Sequence, residues 1–313
     1  MTDALEPDAL LAAARGGDRA ALARLLSLVE RGGSPARQVG RLAHPLGGAG
    51  YAVGITGAPG AGKSTLTSAL VSQIRDDGST VAVLAIDPSS PFSGGAILGD
   101  RVRMQDHTGD PGVFIRSMAT RGHLGGLSLA TLEAIRLLDA TGWPWILVET
   151  VGVGQIEVEV AGAADTTVVV VNPGWGDAVQ ANKAGLLEIA DIFVINKADR
   201  PGAADTRRDL ERMLDLTGTT GWRPPVLSTT ATTREGIEPL WRAVEAHRSH
   251  LVTTGDLEVR RRARVFDELT EIVAVLLRER AKEVVGERLD RLAEQVAARA
   301  VDPWTAAHDL LPD

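Results

Sequence analysis

Seven short apolar runs punctuate the middle of the chain: YAVGIT (51–56), TVAVLAI (80–86), VFIRS (113–117), WILVET (145–150), TTVVVV (166–171), DIFVIN (191–196) and PVLST (225–229). Their apolar residues are largely consecutive rather than alternating, the pattern of strands covered on both faces. Between the runs, apolar residues recur every three or four positions, which predicts helices over 63–75, 125–140, 156–163, 178–190, 205–216 and 236–249. Strand and helix in alternation predict an α/β fold, a mostly parallel central sheet flanked by helices.

Helical spacing alone governs the two ends. Leu10, Leu11 and Ala14, then Leu22, Leu25, Leu26 and Val29, mark helix over 8–30, interrupted at Gly16-Gly17. Gly32-Gly33-Ser34-Pro35 starts a further short helix, and the glycines at 47–50 end this preface. After Thr253-Thr254-Gly255 comes a stripe of Val259, Phe266, Leu269, Ile272, Val273, Leu276 and Leu277 among Arg and Glu. The expected organisation is a helical extension at 1–50, an α/β domain at 51–252 and a C-terminal helical extension at 253–313. The stripe suits either folding back onto its own domain or self-association.

Composition narrows the class. With 44% apolar and 24% charged residues among 313, the chain is neither a disordered tail nor a fibre. Its net charge of −8 advertises no attraction to nucleic acid or to an anionic membrane. Cysteine is absent, which excludes disulfides, thiolate metal sites and a catalytic thiol. The first residues, MTDALEPDALL, are acidic where a signal peptide is basic, and apolar runs such as 166–171 fall far short of the ~20 residues of a spanning helix. The expectation is a cytoplasmic protein with no membrane or nucleic-acid partner.

The first strand runs directly into Gly57-Ala58-Pro59-Gly60-Ala61-Gly62-Lys63-Ser64-Thr65, a GxxxxGK[ST] motif between strand and helix. Glycines let backbone N–H groups curl around a polyphosphate at a helix N-terminus, Lys63 neutralises β/γ oxygens, and the Ser64 hydroxyl ligates Mg²⁺. The base is indicated by Asn196-Lys197-Ala198-Asp199 at the end of the sixth strand, an NKxD sequence. A carboxylate there accepts from guanine N1–H and N2–H, a donor pair that adenine lacks, so GTP and GDP are expected. Ser228 and Thr229, ending the last strand, are candidates for the loop under the base.

Mg²⁺ takes hard oxygen ligands, usually one or two carboxylates among them. Acids near strand ends are Asp87, Asp100 and Glu149. Glu149-Thr150-Val151-Gly152 holds the Walker-B place, with the Gly152 N–H suited to the γ-phosphate. Asp87 equally suits an Asx cap on Asp87-Pro88-Ser89-Ser90, and Asp100 a surface acid.

Together GAPGAGKST, IDPSSPFSGGAILGDRVRM, RSMATRGHLGGLS, ILVETVGVGQIEVEV, NPGWGDAVQANKAG and INKAD resemble the MeaB/ArgK GTPases, relatives of metallochaperone and signal-recognition GTPases. The resemblance runs from about Tyr51 to Leu251 and implies a P-loop NTPase fold with a SIMIBI-type G domain. It further implies a GTP-hydrolysing chaperone that gates adenosylcobalamin loading and protection of an acyl-CoA mutase, methylmalonyl-CoA mutase or a relative. The family's phosphate loop falls on Gly57 to Thr65, its magnesium-side acids on Asp87, Asp100 and Glu149, and its guanine motif on Asn196, Lys197 and Asp199. A loop that couples partner binding to hydrolysis falls on Asn172 to Gly185, with Asp177, Gln180 and Lys183 as its polar residues. Relatives also dimerise through C-terminal helices, so a homodimer is implied. Ile156 after Gln155, and Pro91-Phe92-Ser93 after the DPSS turn, depart from the family pattern and bear on the partner's identity.

Two other classes share the phosphate loop. A small-molecule kinase of the ArgK (arginine/ornithine transport) type would phosphorylate an acceptor other than water, and NKAD stands against it. A GTPase of nickel-enzyme maturation would carry clustered histidines, whereas the six here are scattered. Arg116 and Arg121 lie where they can reach phosphate, but an arginine there is more often a structural ion pair; Gln155 is more often a helix-start residue than a water-positioning one, and Trp143 and Trp145 suit packing.

Overall fold

The computed structural model describes residues 6–87, 107, 109–119, 126–150, 162–174, 188–217 and 221–310. The chain divides into two compact units, Met1–Arg264 and Val265–Asp313. The strands, all in the first unit, are β1 (Tyr51–Gly57), β2 (Val81–Asp87), β3 (Val113–Ala119), β4 (Trp145–Thr150), β5 (Thr166–Val171), β6 (Ile192–Asn196) and β7 (Val226–Thr229). They form one sheet in the order β3-β2-β4-β1-β5-β6-β7, with every neighbouring pair parallel. The described helices are α1 (Pro7–Arg15), α2 (Arg19–Arg31), α3 (Gly33–Ala43), α4 (Lys63–Asp76), α5 (Gly126–Ala140), α6 (Ala203–Thr217), α7 (Ile237–Thr254), α8 (Asp256–Ala297) and α9 (Pro303–Leu310). The seven strands match the seven apolar runs, whereas most of the helices expected at 156–163 and 178–190 lie outside the described residues.

Burial on both faces explains the unbroken runs. In β2, Val81 and Val83 join a core with Leu66, Leu70 and Ile74 of α4 and Trp241 of α7. Ala82, Leu84 and Ile86 point the other way, into a core with Leu25 and Leu26 of α2 and Leu137 and Leu138 of α5. The N-terminal helices thus cover part of one sheet face. Leu22, Leu25, Leu26 and Val29 place four buried side chains on one side of α2, and the Asp18 carboxylate caps that helix by accepting from Ala20 N (2.8 Å) and Ala21 N (3.1 Å). A third cluster sets Val169, Val171, Phe193 and Ile195 against Leu210 and Leu214 of α6. Among the described residues, no helix is long and apolar enough to cross a membrane. On α8 the predicted stripe is mostly exposed, with Phe266 71% and Val273 52% exposed and Ile272 half-buried.

The sheet's direction of winding reverses at β1, which lies between β4 and β5, so the crevice for a ligand opens at the C-terminal ends of these strands. Their N-terminal ends carry buried polar groups instead. The Tyr51 hydroxyl is 2.6 Å from Thr166 Oγ1, which is 2.8 Å from His247 Nδ1, and His247 Nε2 faces Asp191 Oδ1 at 3.3 Å. Burial pulls the His247 pKa down to about 4, with Asp191 opposing the shift, and burial pushes the Tyr51 phenol up to about 12. A neutral imidazole accepts from Thr166 at Nδ1, while its Nε2 lies near Asp191 without a hydrogen bond. Thr166, His247 and Asp191 have the composition of a catalytic triad, but Thr166 and His247 have no exposed surface, so the series is structural.

The depressed His247 pKa has a pH signature. The unfolded chain, with a histidine pKa near ~6.5, binds the proton that the folded chain refuses. Stability is therefore fully present above pH 6.5 and falls as pH drops towards 4, by about 3 kcal/mol over that interval. Urea unfolding at pH 7.5 and pH 5 is expected to show a loss about 2 kcal/mol larger in the wild type than in His247→Gln, which has no such proton to take up.

Candidate functional site

The phosphate loop follows from the end of β1. Gly57 has φ +131°, and a β-carbon on it would lie 2.0 Å from the Val170 carbonyl oxygen of neighbouring β5, so no side chain fits where the chain leaves the sheet. Gly62, at φ +89°, turns the chain into α4, whose first residues are Lys63 and Ser64. Ala61 N donates to Ala58 O at 3.1 Å, closing the loop. Lys63 Nζ donates to the Gly57 and Ala58 carbonyls at 2.6 and 3.2 Å, which holds its charge over the loop. Gly60 and Thr65 complete the expected phosphate-loop positions, Gly60 on the exposed crest and Thr65 half-buried in the first turn of α4.

Ser64 and Glu149 meet from different elements. The Ser64 hydroxyl donates to Glu149 Oε1 at 2.5 Å, and both residues are buried. Glu149 pairs with Ile55 of β1 on one side and with Ala85 of β2 on the other. Asp87 ends β2 two residues beyond that register point. A hydroxyl beside a buried carboxylate is a hard-oxygen pair of the chemistry Mg²⁺ selects.

The NKAD segment converges on the same loop from β6. Asn196 is 2% exposed; its Nδ2 donates to Ala61 O at 2.8 Å, and its Oδ1 accepts from Thr229 Oγ1 at 3.1 Å and Ala231 N at 3.2 Å. One amide thereby joins the phosphate loop to the chain leaving β7. Lys197 adopts the left-handed φ of +59° and donates from Nζ to Gly60 O at 2.6 Å. Ala198 N donates to Thr229 O at 3.0 Å, and Asp199 is exposed beside these groups in sequence. The side chains of Ser228 and Thr229 are engaged within the protein: Ser228 Oγ accepts from Arg207 at 3.0 Å, and Thr229 donates to Asn196. Ala231 was not singled out from sequence, because a backbone N–H leaves no side-chain signature.

Other candidates separate. Arg116 pairs with Glu30 at 2.9 Å and donates to Ser27 Oγ at 3.0 Å, a structural ion pair between β3 and α2. Trp145 packs edge-on to Trp241 at 4.5 Å and Tyr51 at 5.5 Å, and Trp143 lies 5.9 Å from Phe114. His107 Nε2 is 3.0 Å from Ser68 Oγ on α4. Asp100, Arg121, Gly152, Gln155, Asp177, Gln180 and Lys183 lie outside the described residues, as does the Asp87 side chain. Asn172 itself begins the loop after β5, where Gly174 N donates to Thr206 Oγ1 at 3.2 Å.

Removing the Asn196 amide leaves buried partners unpaired on two loops. Asn196→Ala is expected to lower unfolding free energy by about 2–4 kcal/mol, read by urea melts. Asp199→Ala, on an exposed carboxylate, is expected to change it by less than about 0.5 kcal/mol in the same measurement.

Residues 22–286 match the family model described as Methylmalonyl Co-A mutase-associated GTPase MeaB. A Pyrococcus abyssi protein whose name assigns it provisionally to the GTPases is 50% identical over 312 residues, covering 98% of this chain and 96% of that one. The GTPase ArgK of Escherichia coli is 40% identical over 253 residues, 78% of this chain and 76% of its own. A crystal structure of a LAO/AO transport system kinase is 28% identical with a TM-score of 0.72, covering 99% of this chain and 98% of that one. The match spans most of the chain, including residues 57–65 and 196–199, so the chain belongs to the methylmalonyl-CoA mutase-associated GTPase family, MeaB.

Proposed function

We propose that this GTPase uses GTP binding and hydrolysis to gate adenosylcobalamin loading and protection of an acyl-CoA mutase, methylmalonyl-CoA mutase or a relative. The observation that carries the nucleotide part is the Asn196 amide, which binds the phosphate loop at Ala61 and the loop after β7 at Ala231. The family's name supports the client class.

In this reading GTP lies across the C-terminal ends of β1, β4 and β6. Its phosphates meet the N–H groups of Gly57, Ala58, Gly60, Ala61 and Gly62 and of Lys63, Ser64 and Thr65 at the start of α4. Lys63 exchanges its contacts with Gly57 and Ala58 for phosphate oxygens. The residues that would hold Mg²⁺ are Ser64 and Glu149, joined by Asp87 and Asp100; when bound it neutralises charge on the β- and γ-phosphates. Asp199 accepts from the guanine edge, the Ala231 N–H and the Ser228-Thr229 loop border the base, and Lys197 stiffens the loop at Gly60. Water attacks the γ-phosphorus in line, with Gly152 donating to the γ-phosphate and Lys183, Asp177 and Gln180 supplied by the loop from Asn172 to Gly185.

The domain reading is 1–50 as a brace on the sheet, 51–252 as the GTPase domain and 253–313 as a dimerisation element. Val259, Phe266, Leu269, Val273 and Leu276 follow each other at spacings of seven, three, four and three, the a/d pattern of a helix seam. A homodimer in the cytoplasm is the assembly proposed. The kinase named in the solved relative is the second reading, and transfer of phosphate to an acceptor other than water distinguishes it.

Two measurements test this. Purified protein is expected to hydrolyse GTP slowly alone and faster with its client when titrated with methylmalonyl-CoA and isobutyryl-CoA mutases, and to co-elute with that client in a nucleotide-dependent way. Binding to none of them removes the proposed client class. Separately, Asp199→Asn offers amide donors to the C2 carbonyl of xanthine, so it is expected to weaken GTP binding about 100-fold or more and to favour xanthosine triphosphate in competition binding.

A further inference from the structure

Three arginines on a single turn of α8, Arg260, Arg261 and Arg264, each grip the start of a different strand. Arg261 donates to the Gly48 and Gly50 carbonyls at 3.2 and 2.8 Å, directly before β1. Arg264 donates to the Gly162 and Ala164 carbonyls at 2.9 and 2.6 Å, directly before β5. Arg260 makes a two-pronged contact with the Asp191 carboxylate at 2.9 and 3.0 Å, directly before β6.

Two buried carboxylates bind these grips into one unit. Asp165 is 2% exposed and accepts from Arg261 at 2.8 Å, from Arg264 at 3.3 Å and from Ala52 N of β1 at 3.0 Å. Asp191 also accepts from Thr167 N of β5 at 2.8 Å. Each carboxylate therefore ties two neighbouring strands to each other and to the helix. The other ends of these strands lead to the phosphate loop (β1), the loop beginning at Asn172 (β5) and NKAD (β6). A strand of five to seven residues spans roughly 20 Å and is stiff along its length, so a shift at one end moves the other.

We propose that Arg260, Arg261 and Arg264 form a coupling clamp, through which docking of the first turns of α8 and guanine-nucleotide binding at the far ends of β1, β5 and β6 favour each other. Opening the clamp would leave two buried carboxylates without their cations, so the clamp closes as a whole rather than by degrees. A group that favours the closed state from either end then strengthens binding at the other, as reciprocity requires. The same helix continues past Arg264 into the exposed residues Phe266, Leu269 and Val273, so a partner acting on α8 would act on nucleotide affinity. The proposal rests on the nucleotide site assigned above.

Hydrogen exchange on the full-length wild type, with and without saturating GDP and Mg²⁺, gives the first test. GDP is expected to slow exchange of the amides at 258–266 about fivefold or more. Fluorescent-GDP titration of Arg261→Met, Arg264→Met and Arg261→Lys gives the second, with Arg242→Met on α7 as a control. Folded clamp variants are expected to bind GDP about fivefold or more weakly, with Arg261→Lys partly restored and the control unchanged. If wild type binds GDP but exchange at 258–266 does not respond, the clamp is structural only and the coupling falls. Folded clamp variants with undiminished affinity overturn it equally. Wild type that binds no GDP overturns the nucleotide site and the coupling together.

Discussion

The Asn196 side chain ties the loop after β1 to the chain leaving β7, the two halves of the proposed nucleotide site. It springs from β6, yet its Nδ2 reaches the phosphate loop after β1, two strands away, and its Oδ1 accepts from the hydroxyl of Thr229, which ends β7, and from the N–H of Ala231 beyond it. No ladder hydrogen bond can span that distance, because strands past their last paired residue diverge into loops. An amide, with donor and acceptor on opposite edges, is the side chain able to serve a carbonyl and an N–H at once. Its burial removes competing water, which makes the four groups costly to leave unpaired and the loop spacing correspondingly definite. The Lys197-to-Gly60 contact and the Ser64-to-Glu149 contact then work on a loop whose position is already set.

Polar burial at the opposite end of the sheet has a different logic. Asp165, Thr166 and Asp191 sit at strand starts, where parallel strands leave N–H groups and carbonyls without ladder partners, and His247 reaches them from α7. Carboxylates there accept from neighbouring strands, and the arginines of α8 both neutralise them and satisfy nearby carbonyls. Asp139 serves the same accounting, accepting from Gly48, Ala49 and Gly50 before β1. The chemistry can then occupy the C-terminal ends, where the strands open into loops at the reversal of sheet order.

Contiguous features were legible in the chain itself. The apolar runs announce strands because most residues buried on the two faces of a parallel sheet are apolar, and all seven are found. The phosphate loop and NKAD are read directly because each packs its chemistry into a few adjacent residues. For Arg116 an ion pair was the favoured reading but its partner was illegible, since its sequence neighbours say nothing of Glu30, 86 residues away. The triad-like Thr166, His247 and Asp191 had no local signature, and neither did the three arginines, which on a helical wheel look like solvated charge.

By itself the sequence determined what chemistry each segment is suited to: Lys63 and the glycines to the proposed phosphate contacts, Asp199 to the proposed guanine contact, Val and Ile to a covered sheet. These follow from covalent neighbourhood, which a linear reading captures. Only tertiary structure decided which groups meet, such as Ser64 with Glu149 85 residues on, Asn196 with Ala61 across 135, and Arg261 with Gly50 across 211. Those pairings depend on strand order and on exclusion of water, and both arise from packing the whole sheet at once rather than from any one stretch of chain.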